Sequence, residues 1–151
     1  MPKDAALRLE AYLPYRLSVA SNRASRWVAR SYETRFGLSI WQWRVIAVLG
    51  GADKLTAQDV ATATAMDKVT VSRAVRGLLE SGHVDRKKHD RDGRSALLEL
   101  TPSGRSVYTE IAPDAIRQEA ELLDGFSRTE IDQLMQLLAK LERRADDLAD
   151  D

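Results

Sequence analysis

Between Leu55 and Thr101 the apolar residues pass from a helical spacing to a strand spacing, and few small folds accommodate that change. Val71, Ala74, Val75, Leu78 and Leu79 recur at i, i+3, i+4, i+7 and i+8, the single apolar stripe of a helix opening at Lys68 and Val69. Its opposite face holds Lys68, Thr70, Ser72, Arg73 and Arg76. Upstream, Thr56 caps a shorter helix whose buried side is Ala57, Val60, Ala61 and Thr64. Only the connection from Ala65 to Asp67 separates the two, so they must cross steeply, with the second presented outward.

Downstream, Gly82 ends the helix as a left-handed cap, and two extended stretches follow, Val84 to Lys88 and Ser95 to Leu100. Between them Asp92-Gly93 is a hairpin signal, because a primed turn needs positive φ. Arg91 and Arg94 then stand at or beside the tip, with Arg86, Lys87 and Lys88 on the stem. Lys54-Leu55-Thr56 can add a short third strand. A helix-turn-helix followed by a basic hairpin is a winged helix, so the fold class is mainly α with a small antiparallel β-hairpin.

The outward face suggests its own chemistry. Arginine forks onto guanine or phosphate, while Thr and Ser are short enough to let the backbone approach a DNA groove. Lys68, Val69, Thr70, Ser72, Arg73 and Arg76 are therefore expected in the major groove, with Arg91 and Arg94 in the neighbouring minor groove or on its backbone. Arg86 joins this set, although a charged strand stem is also an ordinary solvated surface.

Formal charge sums to zero over the 151 residues, but it is unevenly placed. Residues 1–65 carry nine basic and five acidic side chains, 66–105 nine and six, and 106–151 five and twelve. A basic centre beside an acidic C-terminal third attracts phosphate to one face and repels it elsewhere. With no Cys, disulfide and thiol chemistry are excluded. No window approaches the roughly 18 apolar residues of a membrane span, so a cytoplasmic protein with no membrane partner is expected.

The flanks read as helix. From about Leu7 to Phe36 the stripe is Leu13, Leu17, Ala20, Ala24, Trp27, Val28 and Ser31, with regular helix expected from Pro14 and closed by Gly37. Ser39 and Gln42 form a capping box opening a helix from Ile40 to Leu49, apolar nearly all round and so the central post of the fold. Thr101-Pro102 restarts helix, and Pro113 predicts a kink or break near Ile111. After a second box at Ser127 and Glu130, Ile131, Leu134, Leu138, Leu141, Ala145 and Leu148 repeat at alternating spacings of three and four, a heptad seam that asks for a partner helix.

This order resembles the MarR family of winged-helix transcriptional regulators. The features that carry the resemblance are Gly82-His83-Val84-Asp85-Arg86, the wing Arg91-Asp92-Gly93-Arg94, the exit Leu100-Thr101-Pro102-Ser103-Gly104, and the segment from Leu122 to Glu130. One departure is His89, standing where an acidic residue is frequent in that family. The resemblance covers nearly the whole chain from about Tyr12. It implies a sequence-specific regulator, expected to be a repressor, acting as a homodimer on a pseudo-palindromic operator. Residues 1–36 and 102–151 would form the dimerisation region, with Leu13, Leu17, Ile131, Leu134, Leu138 and Leu141 at the interface, and 37–101 the DNA-binding lobe. It further implies an effector pocket between dimer helices and lobe, commonly for phenolic or aromatic acids. Arg23, Trp27 and Trp43 supply a cation and aromatic faces suited to such a pocket, the alternative for each tryptophan being core packing.

A winged helix can also serve as a protein-interaction scaffold without specific DNA binding, against which stand the Ser/Thr/Arg face and the arginines of the tip. Enzymatic function is not expected, for want of a nucleophile–base–acid set or a phosphate-binding glycine loop. No metal or cofactor is expected either, since His83 and His89 are the only histidines and both lie in or near the wing.

Overall fold

A computed structural model describes residues 6–88 and 96–151. The expected hairpin tip, with Arg91, Asp92, Gly93 and Arg94, lies outside the described residues. After a single 3-10 turn at Leu9–Ala11 come α1 (Leu13–Ala29), α2 (Glu33–Phe36), α3 (Ile40–Gly51), β1 (Leu55–Thr56), α4 (Ala57–Thr64) and α5 (Lys68–Glu80). They are followed by β2 (Val84–Lys88), β3 (Ala96–Leu100), α6 (Pro102–Leu122) and α7 (Arg128–Ala149). Contacts divide the chain into a unit running to Gln118 and a second, Glu119–Asp151.

Local chemistry sets the boundaries. Ser39 Oγ accepts from Gln42 N–H at 3.1 Å while Gln42 Oε1 accepts from Ser39 N–H at 3.0 Å, and Thr56 with Asp59 repeats the arrangement at α4. Ala65 takes the left-handed conformation, φ 55°, at the turn between α4 and α5. Gly82, φ 79°, closes α5: its N–H bonds Leu79 O, and His83 N–H bonds Leu78 O. The sheet is antiparallel in the order β1-β3-β2, with Leu55 opposite Leu98 and Arg86 opposite the same residue from the other side. The expected third strand is present as β1.

The first unit is built around α3, which packs on α4 and α5. Val45, Ile46 and Leu49 from α3, Val60 from α4, Val71, Ala74, Val75 and Leu78 from α5, Val84 and Leu98 from the sheet, and Val107 and Ile111 from α6 are all buried. Each large aliphatic side chain so buried contributes about 1.5–3 kcal/mol. The wing root is tied to the start of α6: Thr101 Oγ1 donates to Gly82 O at 2.7 Å, Thr101 N–H donates to His83 O, and Gly104 N–H donates back to Thr101 Oγ1. A Cβ at Gly104 would overlap the His83 carbonyl, so only glycine lets the strands meet the helix this closely.

Four expectations need correction. The first long helix does not run to Phe36: it ends at Ala29, where Ser31 Oγ and Ser31 N–H both bond Val28 O, and the resulting turn swings Tyr32 into the core. Pro113 does not break α6, which is continuous to Leu122. The missing hydrogen bond costs about 3 kcal/mol, and buried Val107, Ile111 and Gln118, on both sides of the proline, outweigh it. Helix α3 is not buried all round, since Trp41 is 45% exposed, and it runs on through Gly50 and Gly51. On α4 the buried side is Val60 with part of Ala61 and Thr64, while Ala57 is exposed.

In the second unit α7 opens on the expected Ser127–Glu130 box, and no residue of it is buried.

Candidate nucleic-acid interface

Helix α5 is held from within and fixed at both ends. At its start Asp67 Oδ1 accepts from Thr70 N–H at 2.8 Å, and Asp67 Oδ2 accepts from the Thr70 hydroxyl at 2.8 Å. These bonds hold the Asp67 carboxyl below the usual carboxylate range, so the cap is charged at neutral pH. The inner stripe from Val71 to Leu78 leaves Lys68, Val69, Ser72, Arg73 and Arg76 exposed. Thr70 is half-buried, its proton directed to Asp67, which leaves its oxygen as an acceptor.

The helix presents two flanks. Lys68 and Ser72 border a cleft shared with Ala57, Gln58 and Arg86, so α4, α5 and the wing stem contribute to one concavity. On the other flank Thr70 and Arg73 border a notch with Ser39, Trp41 and Gln42. The strand alternation sorts the stem. Lys87 points with Asp85 and pairs with Glu99, which also lies 3.8 Å from Lys54. The bond from Lys87 holds the Glu99 carboxyl down and raises the ammonium's own pKa. Lys87 is thus neutralised locally, whereas Arg86, one residue away on the opposite face, fronts the α5 cleft.

Of the expected DNA-contacting residues, the structure gathers Lys68, Ser72 and Arg86 on one side of α5 and Thr70 and Arg73 on the other. Val69 and Arg76 are exposed on the same helix, and Arg91 and Arg94 lie outside the described residues. Gln58, exposed in the first turn of α4 and facing the cleft with Arg86, was absent from the sequence reading. The Thr56–Asp59 cap signals it, because it fixes which residues occupy that turn.

The residues expected to line an effector pocket are Arg23 and Trp27, four residues apart on α1, and Trp43 on α3. Trp43 stacks between Tyr32 and Tyr108, with ring centroids at 6.0 and 6.4 Å. The Trp27 indole N–H donates to Gln118 O at 3.1 Å, with the Arg30 guanidinium over its ring, and Arg23 is exposed. Among the described residues no group of three or more potential metal ligands occurs, and no helix is long and apolar enough to cross a membrane.

The arrangement defines a class, the winged-helix DNA-binding regulators. The sequence pattern of the MarR family matches residues 36–95, from the end of α2 to the residue before β3. The uncharacterized HTH-type transcriptional regulator YwoH of Bacillus subtilis is 30% identical over 108 residues, covering 70% of this chain and 78% of that protein. The transcriptional activatory protein BadR of Rhodopseudomonas palustris is 28% identical over 142 residues, 91% of this chain and 81% of BadR. A crystal structure of a MarR/EmrR family regulator from Acinetobacter sp. ADP1 superposes with a TM-score of 0.85 at 29% identity, covering 93% of this chain and 99% of that one. Bordetella bronchiseptica BpsR, solved in a study of how 6-hydroxynicotinic acid regulates its DNA binding, shares the fold, with a TM-score of 0.83 at 23% identity over 91% of this chain and 98% of its own. The chain belongs to the MarR family of transcriptional regulators, which are DNA-binding proteins and not enzymes.

Proposed function

We propose that this regulator works as a homodimer on a pseudo-palindromic operator and represses transcription until a small aromatic acid releases it. The observation that carries the reading is α5, sealed into the core on one side and offering Lys68, Val69, Ser72, Arg73 and Arg76 to solvent on the other. These residues, with Thr70, divide between base edges and phosphates of the major groove. Arg86 adds a backbone contact, and Arg91 and Arg94 reach the flanking minor groove. Two heads read one DNA face when their helices lie about 34 Å apart, which a homodimer fixes. Residues 1–36 and 102–151 supply its helices. Leu13 and Leu17 are exposed on α1, and Ile131, Leu134, Leu138 and Leu141 form a seam on a helix with no buried residue. Residues 37–101 are the reading lobe.

Release by an acid is supported by BpsR, whose DNA binding 6-hydroxynicotinic acid regulates. Since BadR is named for activation, the sign of the effect is fixed by experiment. Selection of bound duplexes from a random pool is expected to return a two-fold repeat, and a reporter placed behind it to fall when the protein is expressed. A pool without symmetry overturns the dimeric operator, and a reporter that rises overturns repression.

A further inference from the structure

One apolar side chain interrupts the polar face of α5. Val69 is 60% exposed, whereas Val71 and Val75, on the inner side of the same helix, are at most 2% exposed. Left in water it forgoes the burial that stabilises those two, and a β-branched residue is a poorer helix former than the Lys, Arg or Ala common on exposed faces. Its place is central. Ser72 and Arg73, three and four residues on, are its neighbours along the helix surface, and both are exposed. Lys68 and Ser72 border the cleft on one flank, Thr70 and Arg73 the notch on the other, and at about 100° per residue Val69 falls between them.

Against a duplex such a side chain has few choices. Phosphate and sugar oxygens offer an isopropyl group nothing, and the base edges of the major groove present donors and acceptors, with one methyl group, the C5-methyl of thymine. Facing a G·C pair, Val69 would strip water from polar atoms and give them no partner; facing thymine, two apolar surfaces leave water together. Valine in a helix holds essentially one χ1 rotamer, so the contact orders little that is not already ordered. Helices of this class touch base edges with their N-terminal residues, and Val69 is the second residue of α5.

Thr70 has its hydrogen bonding decided inside the protein. Its hydroxyl lies 2.8 Å from Asp67 Oδ2, and that carboxylate, charged at neutral pH, has no proton to give, so the hydroxyl donates. Toward a base its oxygen can only accept. In the major groove the adenine N6 and cytosine N4 amines donate, while guanine N7 and O6 and thymine O4 would meet it lone pair to lone pair.

We propose that the first turn of α5 selects bases through two fixed contacts: Val69 seats on the C5-methyl of a thymine, and Thr70 Oγ1 accepts from the exocyclic amine of an adenine or cytosine. Both preferences are set before DNA arrives, one by an exposed stiff hydrocarbon and the other by a proton already committed to the helix cap. The proposal rests on the reading of α5 as a major-groove helix, and it deepens that reading by naming the chemical group each residue takes.

The test uses the full chain and the duplex selected from the random pool, with affinity measured by fluorescence anisotropy. Binding of the unmodified duplex is measured first, and its absence unseats the proposed function and this inference together. Each thymine of one half-site is then replaced in turn by deoxyuridine, which pairs identically and lacks only the methyl. At one position the wild type loses about fourfold in affinity, the value of one buried methyl group, and about fifteenfold when the symmetry-related thymine is replaced as well. In Val69→Ala the single loss shrinks to less than about twofold, while the other positions respond as in the wild type. Each adenine is likewise replaced by 2-aminopurine, which keeps its bonds to thymine but carries the amine into the minor groove, and each cytosine by deoxyzebularine, which has no amine. One such replacement costs the wild type about fivefold. Thr70→Ser, which keeps the acceptor, retains that cost; Thr70→Val, whose backbone N–H still bonds Asp67, does not. Thymines that are all indifferent to loss of the methyl, or a sensitive one whose loss persists undiminished in Val69→Ala, overturn the methyl contact. An amine dependence missing from the wild type, or undiminished in Thr70→Val, overturns the acceptor contact. Either result, with tight binding of the unmodified duplex, leaves the proposed function standing.

Discussion

Helices α5 and α7 look alike on paper and differ in what they have found to cover them. Both start on a side-chain cap, Asp67 and Ser127, and both carry one apolar stripe at alternating spacings of three and four. On α5 that stripe is sealed, with Val71, Ala74, Val75 and Leu78 at most 4% exposed against α3 and β2. On α7, Leu134 is 42% exposed and Leu148 55%, and neighbours Met135 and Leu137 exceed 60%. Amphipathic spacing thus states that a helix needs a cover, and says nothing about whether its own chain supplies it.

The comparison can be broken in four ways, taken in order of size. Leu78→Ala leaves a hole in a self-contained core and should lower stability by about 2–5 kcal/mol, seen as a denaturant midpoint that does not move with protein concentration. Leu138→Asp should do the opposite: the lobe's circular-dichroism spectrum persists while sedimentation reports a monomer and operator affinity falls by about tenfold or more. A Leu138→Asp protein that remains dimeric would make α7 no different in kind from α5. Arg73→Ala touches only the open face of α5 and should cost about 1–3 kcal/mol in binding the selected duplex, with an unchanged melting curve. The smallest effect concerns acid. The folded Asp67 carboxyl has its pKa lowered by Thr70, so the stability it adds is present above the unfolded carboxylate range and disappears as pH falls through the folded value. Asp67→Asn keeps an acceptor for Thr70 N–H and should flatten the decline of stability below about pH 4. A decline as steep as in the wild type would place the acid sensitivity at another carboxylate.

The lobe was readable in the sequence because its determinants are local. The stripe on α5, the cap of Ser39 and Gln42, the glycine at 82 and the short strand before α4 all follow from neighbours within a few residues. Tyr32 was not readable: whether the chain continues as helix past Ala29 or turns is settled by its stacking on the distant Trp43, which itself stacks on Tyr108. The break expected at Pro113 is absent for the same reason, since its local penalty is outweighed by core residues supplied from other elements. Trp27 and Trp43 drew notice by size, and both are partly buried, Trp43 between Tyr32 and Tyr108 and Trp27 bonded to Gln118 O.

The close seat of Gly104 under the His83 carbonyl has a mechanical corollary. With Thr101 bonded to both Gly82 and His83, the tail of α5 is clamped to the root of the wing and to α6. Its head is held differently, by the Asp67 cap and by Val71 buried in the core. The helix is thus tethered at one end by hydrogen bonds to two other elements and at the other by its own cap and one apolar side chain, so amide exchange is expected to begin at the Lys68 end.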